Sequence, residues 1–140
     1  MVDTLSISQR SALMRSIRAK DTAPEMRVRQ LAHGMGYRYV LHDKRLPGSP
    51  DLVFPSRKAV IQVHGCYWHG HECRVGRRPK SNLAYWTPKI DRNVERDVRS
   101  AKALRRLGWR VMVVWECQTV PAKLDALQRR IRRFLDRDAM

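Results

Sequence analysis

Leu46-Pro47-Gly48-Ser49-Pro50-Asp51-Leu52-Val53-Phe54-Pro55-Ser56-Arg57-Lys58-Ala59-Val60-Ile61-Gln62-Val63-His64 is the stretch on which the fold turns. Two strand-like runs, 51–54 and 58–64, flank the short Pro55-Ser56 break, which is the pattern of a β-hairpin. The turn-rich run from Leu46 to Pro50 separates that hairpin from an earlier strand candidate at 37–41. Side chains alternate along a strand, so Asp51 shares a face with Val53, while Gln62 and His64 share one with Val60. A hairpin of this length brings Asp51 near Gln62 and His64. A carboxylate, an amide and an imidazole then gather at one end of an otherwise apolar sheet.

Upstream, Thr22-Ala23-Pro24-Glu25 forms a capping box with Pro24 in the first turn, where its missing N–H costs little. It opens a helix to about residue 35 with Val28, Leu31, Ala32 and Met35 on one face, stopped by Gly34 and Gly36. Residues 1–20 are expected to be a basic N-terminal arm or helix, with 9–20 as the segment that reads as either. Downstream, Thr87-Pro88 caps a long helix to about residue 107, whose apolar stripe is Ile90, Val94, Val98, Ala101 and Leu104. Residues 109–115 form a buried strand, because Val111, Met112, Val113 and Val114 are continuous. Pro121 opens a last basic helix to about residue 137. The expected architecture is α/β: one domain over residues 1–140, with a mixed four-stranded sheet flanked by helices.

Charge limits the partners. Lys plus Arg number 29 against 13 for Asp plus Glu, giving +16, and a chain so charged repels itself unless a polyanion offsets it. Nucleic acid is the usual polyanion, and the dominance of Arg over Lys suits phosphate forks, although a GC-rich genome would also raise Arg. The longest purely apolar stretch, from Val111 to Trp115, is far too short for a bilayer. No signal peptide is visible, so a cytoplasmic, nucleoid-associated location with no membrane partner is expected. Nothing in the pattern calls for an oligomer, and a monomer is the default.

Residues 65–86 have little periodicity, and a compact domain rarely tolerates such a loop unless something holds it. Within His64-Gly65-Cys66-Tyr67-Trp68-His69-Gly70-His71-Glu72-Cys73, two thiols and three imidazoles crowd together, and Cys117 is the third cysteine. An odd cysteine count argues against a disulfide framework. Three thiolates and one imidazole make a tetrahedral Cys₃His zinc site, and Cys66, His71, Cys73 and Cys117 are the expected ligands. Ordering each loop residue costs ~1–2 kcal/mol. A structural Zn²⁺ contributes on the order of 10–16 kcal/mol, which offsets much of that. Three buried thiols with solvated histidines are the plainer alternative.

Two further carboxylates sit where apolar residues belong. Asp97 lies along the stripe of the long helix and needs a partner; His69 is the natural one, giving a His–Asp pair for acid–base work at a phosphodiester. Glu25 lies in line with Val28, Ala32 and Met35, although its place in the capping box alone would also explain it. The hairpin layout resembles that of the PD-(D/E)xK nucleases, in which an Asp and a second oxygen ligand hold Mg²⁺. Here Gln62 stands for the second acid and His64 for the Lys.

Over most of its length the chain also resembles the very short patch repair (Vsr) endonucleases. The matching runs are Arg10-Ser11 with Met14-Arg15, Asp21-Thr22 with Glu25, Leu46 through Asp51, and His64 through Cys73. They continue with Tyr85-Trp86, Lys89-Ile90, Asn93 through Asp97, and Leu107 through Val111 with Val114-Trp115-Glu116-Cys117. The resemblance implies a restriction-endonuclease-like fold with a zinc-stabilised loop, and nicking of one strand 5′ of the T in T·G mispairs left by 5-methylcytosine deamination. It implies that Asp51 holds Mg²⁺ with the backbone carbonyl of Val63, and that Gln62 is a candidate further ligand. His69 with Asp97 would move protons, His64 would sit at the scissile phosphate, and Glu25 would support the site. The expected zinc ligands match the family's. Tyr67, Trp68 and Trp86 would wedge into the base stack of the duplex, with Met14 entering from the other groove, since a mispair is cheap to unstack. Trp109 and Trp115 are expected to pack. Tyr67 stands where Phe is frequent and Val63 where Thr occurs, which leaves the sequence context open. Other mismatch-repair proteins are candidate partners. The competing readings are a restriction-type or relaxed endonuclease on paired or modified DNA, a zinc-stabilised DNA-binding module without catalysis, and, more distantly, an RNA-binding role.

Overall fold

The computed structural model describes residues 22–66 and 83–137, with side chains in the second segment from residue 88 onward. Helix α1 (Ala23–Gly34) leads into strand β1 (Val40–Leu41), then β2 (Leu52–Phe54), a 3₁₀ turn (Pro55–Arg57) and β3 (Ala59–His64). Helix α2 (Leu83–Arg106), strand β4 (Arg110–Trp115) and helix α3 (Leu124–Asp136) complete the described elements. The strands lie in the order β1-β2-β3-β4, antiparallel except for the parallel β3–β4 pair. The mixed four-stranded sheet expected from the sequence is therefore present.

Alternation along the strands divides the core in two. Leu52, Phe54, Ala59, Ile61, Met112 and Val114 join Val28 and Ala32 of α1 and Leu127, Ile131 and Leu135 of α3 on one face. Burying each such aliphatic or aromatic side chain contributes about 1.5–3 kcal/mol. Val53 and Val60 meet Leu104 of α2 on the other face, with Leu46, Trp109 and Val111 packed at the margin. Lys58 Nζ lies 5.0 Å from the centre of the Trp109 ring, and the Trp115 ring meets the His64 ring edge-on at 5.2 Å.

Several boundaries differ from the sequence expectation, each for a local reason. Strand β1 is shorter than 37–41, because the Tyr37 N–H donates back to the Ala32 carbonyl and Gly36, at φ 90°, closes α1. Strand β2 starts after Asp51, whose side chain rather than its backbone takes the Val63 N–H. Helix α2 begins at Leu83, so Thr87-Pro88 is not its cap and Pro88 lies inside it. A proline there forfeits the one backbone bond its N–H would have made, and the helix continues through it. Residues 83–86 accordingly belong to α2 and not to the loop.

The buried face of α2 also differs. Val98 is 49% exposed, while Ile90, Asn93 and Leu104 are buried and Asp97 and Ser100 are half-buried. The inward seam is Ile90-Asn93-Asp97-Ser100-Leu104, with spacing of three and four, and it places polar residues over the polar end of the sheet. Strand β4 is the last strand of the sheet, which leaves Val111 and Val113 half-buried where a continuous buried strand was expected.

Candidate active site

Four strand ends set out the site. Residue pairing puts His64 beside Trp115, so β3 and β4 deliver their C-terminal ends together. Parallel strands commonly bind ligands at that end. Asp51 lies just before β2 and is anchored twice: its carbonyl accepts the His42 N–H at 3.1 Å, and its Oδ2 accepts the Val63 N–H at 2.7 Å. A carboxylate oxygen thus replaces a ladder carbonyl, and the side chain is held in one orientation.

Glu25, in the first turn of α1, points into the same place and is 3% exposed. Thr22 Oγ1 accepts the Glu25 N–H at 3.4 Å, which is half of the capping box. The Glu25 carboxylate does not complete that box. It pairs instead with Arg29 and with His42 Nε2, the latter at 2.9 and 3.1 Å. Burial, with the Glu25 carboxylate close by, pushes the Asp51 carboxyl up to about 7, against the opposing pull of the Val63 N–H and of His42. Ligand atoms of Glu25, His42 and Asp51 all lie within 4.8 Å of one another. Two crowded carboxylates and an imidazole suit a divalent cation, whose charge would relieve the repulsion between the acids.

Across from this cluster, on the α2 side of the sheet, His64 Nδ1 lies 3.9 Å from Asp97 Oδ2. His64 is buried and Asp97 half-buried. Gln62 occupies the same face: a Cβ on Gly48 would stand 3.5 Å from Gln62 Nε2 and 2.7 Å from Ser100 Cβ. The Leu46–Pro50 turn is therefore pressed against α2, with Gly48 at φ 76°. The arrangement offers acids for a cation at one side and an imidazole–carboxylate pair at the other.

A second cluster begins next door. Cys66 is fully buried, and its Sγ accepts the Cys117 N–H at 3.3 Å. Glu116 Oε1 accepts the Cys66 N–H at 3.4 Å, so the start of the loop is tied to the end of β4. Two of the four expected zinc ligands are thus adjacent. His71 and Cys73 lie outside the described residues, as do His69, Tyr67, Trp68 and Met14, and so does the side chain of Trp86.

His42 is the site residue that sequence reasoning passed over. Its backbone is left-handed at φ 48°, and only cross-strand pairing puts it opposite Asp51. Asn93 and Ser100 were also missed. Phasing the α2 seam on Asp97, four residues after Asn93 and three before Ser100, would have found both.

Comparison with known proteins gives the family. The family model described as DNA mismatch endonuclease Vsr matches residues 2–75. The chain is 54% identical over 136 residues to the type II nicking enzyme V.XorIIP of Xanthomonas oryzae pv. oryzae, covering 97% of this chain and 98% of that one. It is 41% identical to the type II nicking enzyme V.NmeAIP of Neisseria meningitidis serogroup A, over 97% and 99% of the two chains. To the DNA mismatch endonuclease Vsr of Escherichia coli K12 it is 44% identical over 117 residues, covering 84% and 75%. With relatives matched nearly end to end on both sides, the chain belongs to the Vsr family of DNA mismatch endonucleases.

Proposed function

We propose that this endonuclease nicks one strand of duplex DNA on the 5′ side of the T in a T·G mispair, the first step of very short patch repair. The observation that carries the reading is the half-buried Asp51 carboxyl, fixed by the Val63 N–H and set against the buried Glu25 at the end of the hairpin. A DNA-binding module without catalysis would have no reason to crowd a buried and a half-buried acid together, since withdrawing charge from water without a ligand is costly. Relatives named as nicking enzymes favour a single-strand cut over a double-strand break. Such a substrate places the enzyme at the nucleoid.

In this reading Asp51 holds Mg²⁺, with Glu25 in support and Gln62 and the Val63 carbonyl as further oxygen donors, in the manner of a PD-(D/E)xK hairpin. When bound there, the cation supplies Lewis-acid stabilisation of the phosphoryl oxygens and a more acidic water. His64 lies at the scissile phosphate, and Asp97 orients an imidazole, His64 or His69, for proton transfer. Zn²⁺ held by Cys66, His71, Cys73 and Cys117 keeps the loop in register with β4. Tyr67, Trp68 and Trp86, with Met14 from the arm, detect the mispair by entering the stack.

The test is a strand-resolved cleavage assay with Mg²⁺, comparing a duplex carrying one T·G mispair with its paired twin. A single nick 5′ of the mispaired T is expected, absent from the twin and from Asp51→Ala. Equal cutting of both duplexes, and activity surviving in Trp68→Ala, would replace this reading with a relaxed endonuclease.

A further inference from the structure

His42 sits at the end of β1 with its backbone in the left-handed region, φ 48°. Among residues with a Cβ, Asn, Asp and His are the most enriched in that region, and the conformation costs some free energy. Its N–H bond to the Asp51 carbonyl holds the turn, and the turn aims the imidazole between the two acids. Nε2 stands 2.9 Å from Glu25 Oε2 and 4.0 Å from Asp51 Oδ1. One oxygen of each acid has a further partner: Glu25 Oε2 also pairs with Arg29, and Asp51 Oδ2 takes the Val63 N–H, while Glu25 Oε1 lies 3.1 Å from His42 Nε2. Two donors each about 2.1 Å from one ion are at most about 4.2 Å apart. The separations around His42 already satisfy that limit.

The geometry points to His42 as a nitrogen ligand of the divalent cation, completing an oxygen, oxygen, nitrogen site from Glu25, Asp51 and the imidazole. The consequence is a change in metal preference. Mg²⁺ favours oxygen ligands throughout, whereas an imidazole raises affinity for Mn²⁺ and later first-row divalent ions relative to Mg²⁺. At this site the chain therefore favours Mn²⁺ over Mg²⁺ more than an all-oxygen site would. A counter-ion role, in which the imidazolium only neutralises Glu25, predicts the opposite: a cation would displace the ring and bind no nitrogen. The inference rests on Asp51 being the seat of the catalytic cation.

The test is pulsed electron paramagnetic resonance on the full chain loaded with Mn²⁺, read for ¹⁴N coupling, together with a Mg²⁺ competition titration. Wild-type protein is expected to show ¹⁴N coupling. His42→Asn, which suits the left-handed backbone, is expected to lose it while binding Mn²⁺ about tenfold more weakly. His42→Asp restores a ligand but only an oxygen, so the ratio of Mn²⁺ to Mg²⁺ affinity is expected to fall about tenfold. This second variant decides the matter should His42→Asn fail to fold. Absence of ¹⁴N coupling in the wild type, or its persistence in both variants, overturns the inference. His42-dependent coupling in a chain that nicks no T·G duplex would keep the inference and remove the functional reading. Asp51-dependent nicking without ¹⁴N coupling would do the reverse.

Discussion

Asp51 joins the chemistry of the site to the stability of the chain. In the unfolded chain its carboxyl ionises at the ordinary value of 3.8, and in the folded, metal-free protein at about 7. The folded state therefore holds an extra proton between those values. Its contribution to stability is full below the lower value and is lost as pH rises through the upper one. Asp51→Asn is expected to be more stable than the parent at pH 8, by on the order of 1 kcal/mol or more, with no gain at pH 4. Thermal melts in chelator across that range would show it, and parallel curves for the two proteins would contradict it. A cation competes with the same proton, so its affinity for the wild type rises as pH climbs toward 8. The hairpin made the approach of Asp51 to the end of β3 legible in the sequence, and the crowding of thiols in one loop did the same for Cys66 and Cys117. His42 was not legible, because its role depends on a backbone angle and a cross-strand register that no local pattern encodes.

At the scale of elements, hydrophobic periodicity located the helices and strands of the described residues but misphased α2, while the N-terminal arm and its helix over 9–20 lie outside them. Its stripe was drawn through Val98, and a valine stripe is a reasonable guess when the true seam carries Asn93, Asp97 and Ser100. Polar residues on an inward seam are what a functional face requires, and they hide the seam from a count of apolar positions. Val98→Lys is expected to shift stability by no more than about 0.5 kcal/mol. Leu104→Ala, from the buried end of the true seam, is expected to lose ~2–5 kcal/mol. Denaturant unfolding of the two variants would separate the phasings. Gly48 provides a second check. Its positive φ and the 2.7 Å approach of an added Cβ to Ser100 predict that Gly48→Ala loses ~1–3 kcal/mol. A double-mutant cycle with Ser100→Gly should return part of that loss, and strict additivity would mean the turn is not pressed on α2. The hairpin itself was legible from end to end, since its break and both runs are local.

For the whole molecule, the charge of +16 governs encounter with DNA more than choice among sites. If roughly 6–10 phosphates are engaged, affinity for mispaired and paired duplexes alike should fall ~10³–10⁵-fold between 50 and 200 mM salt. Fluorescence anisotropy at several salt concentrations measures the slope, and a slope near zero would remove the polyanion reading. Among the described residues no helix is long and apolar enough to cross a membrane. The topology carries one more consequence, in the order of assembly. Glu25, His42, Asp51 and Val63 all come from the segment that ends with β3, whereas β4 follows α2 and must close a long loop before it can pair. Loop closure of that kind is slow relative to hairpin formation. On the ribosome, then, the acids and His42 can gather while Cys117 is still unmade. Strand β4 acts as a latch: it brings Cys117 to Cys66 and the sheet edge to His64 only after α2 has been made. A nascent nuclease built this way cannot finish its site, or cut, before β4 has left the ribosome.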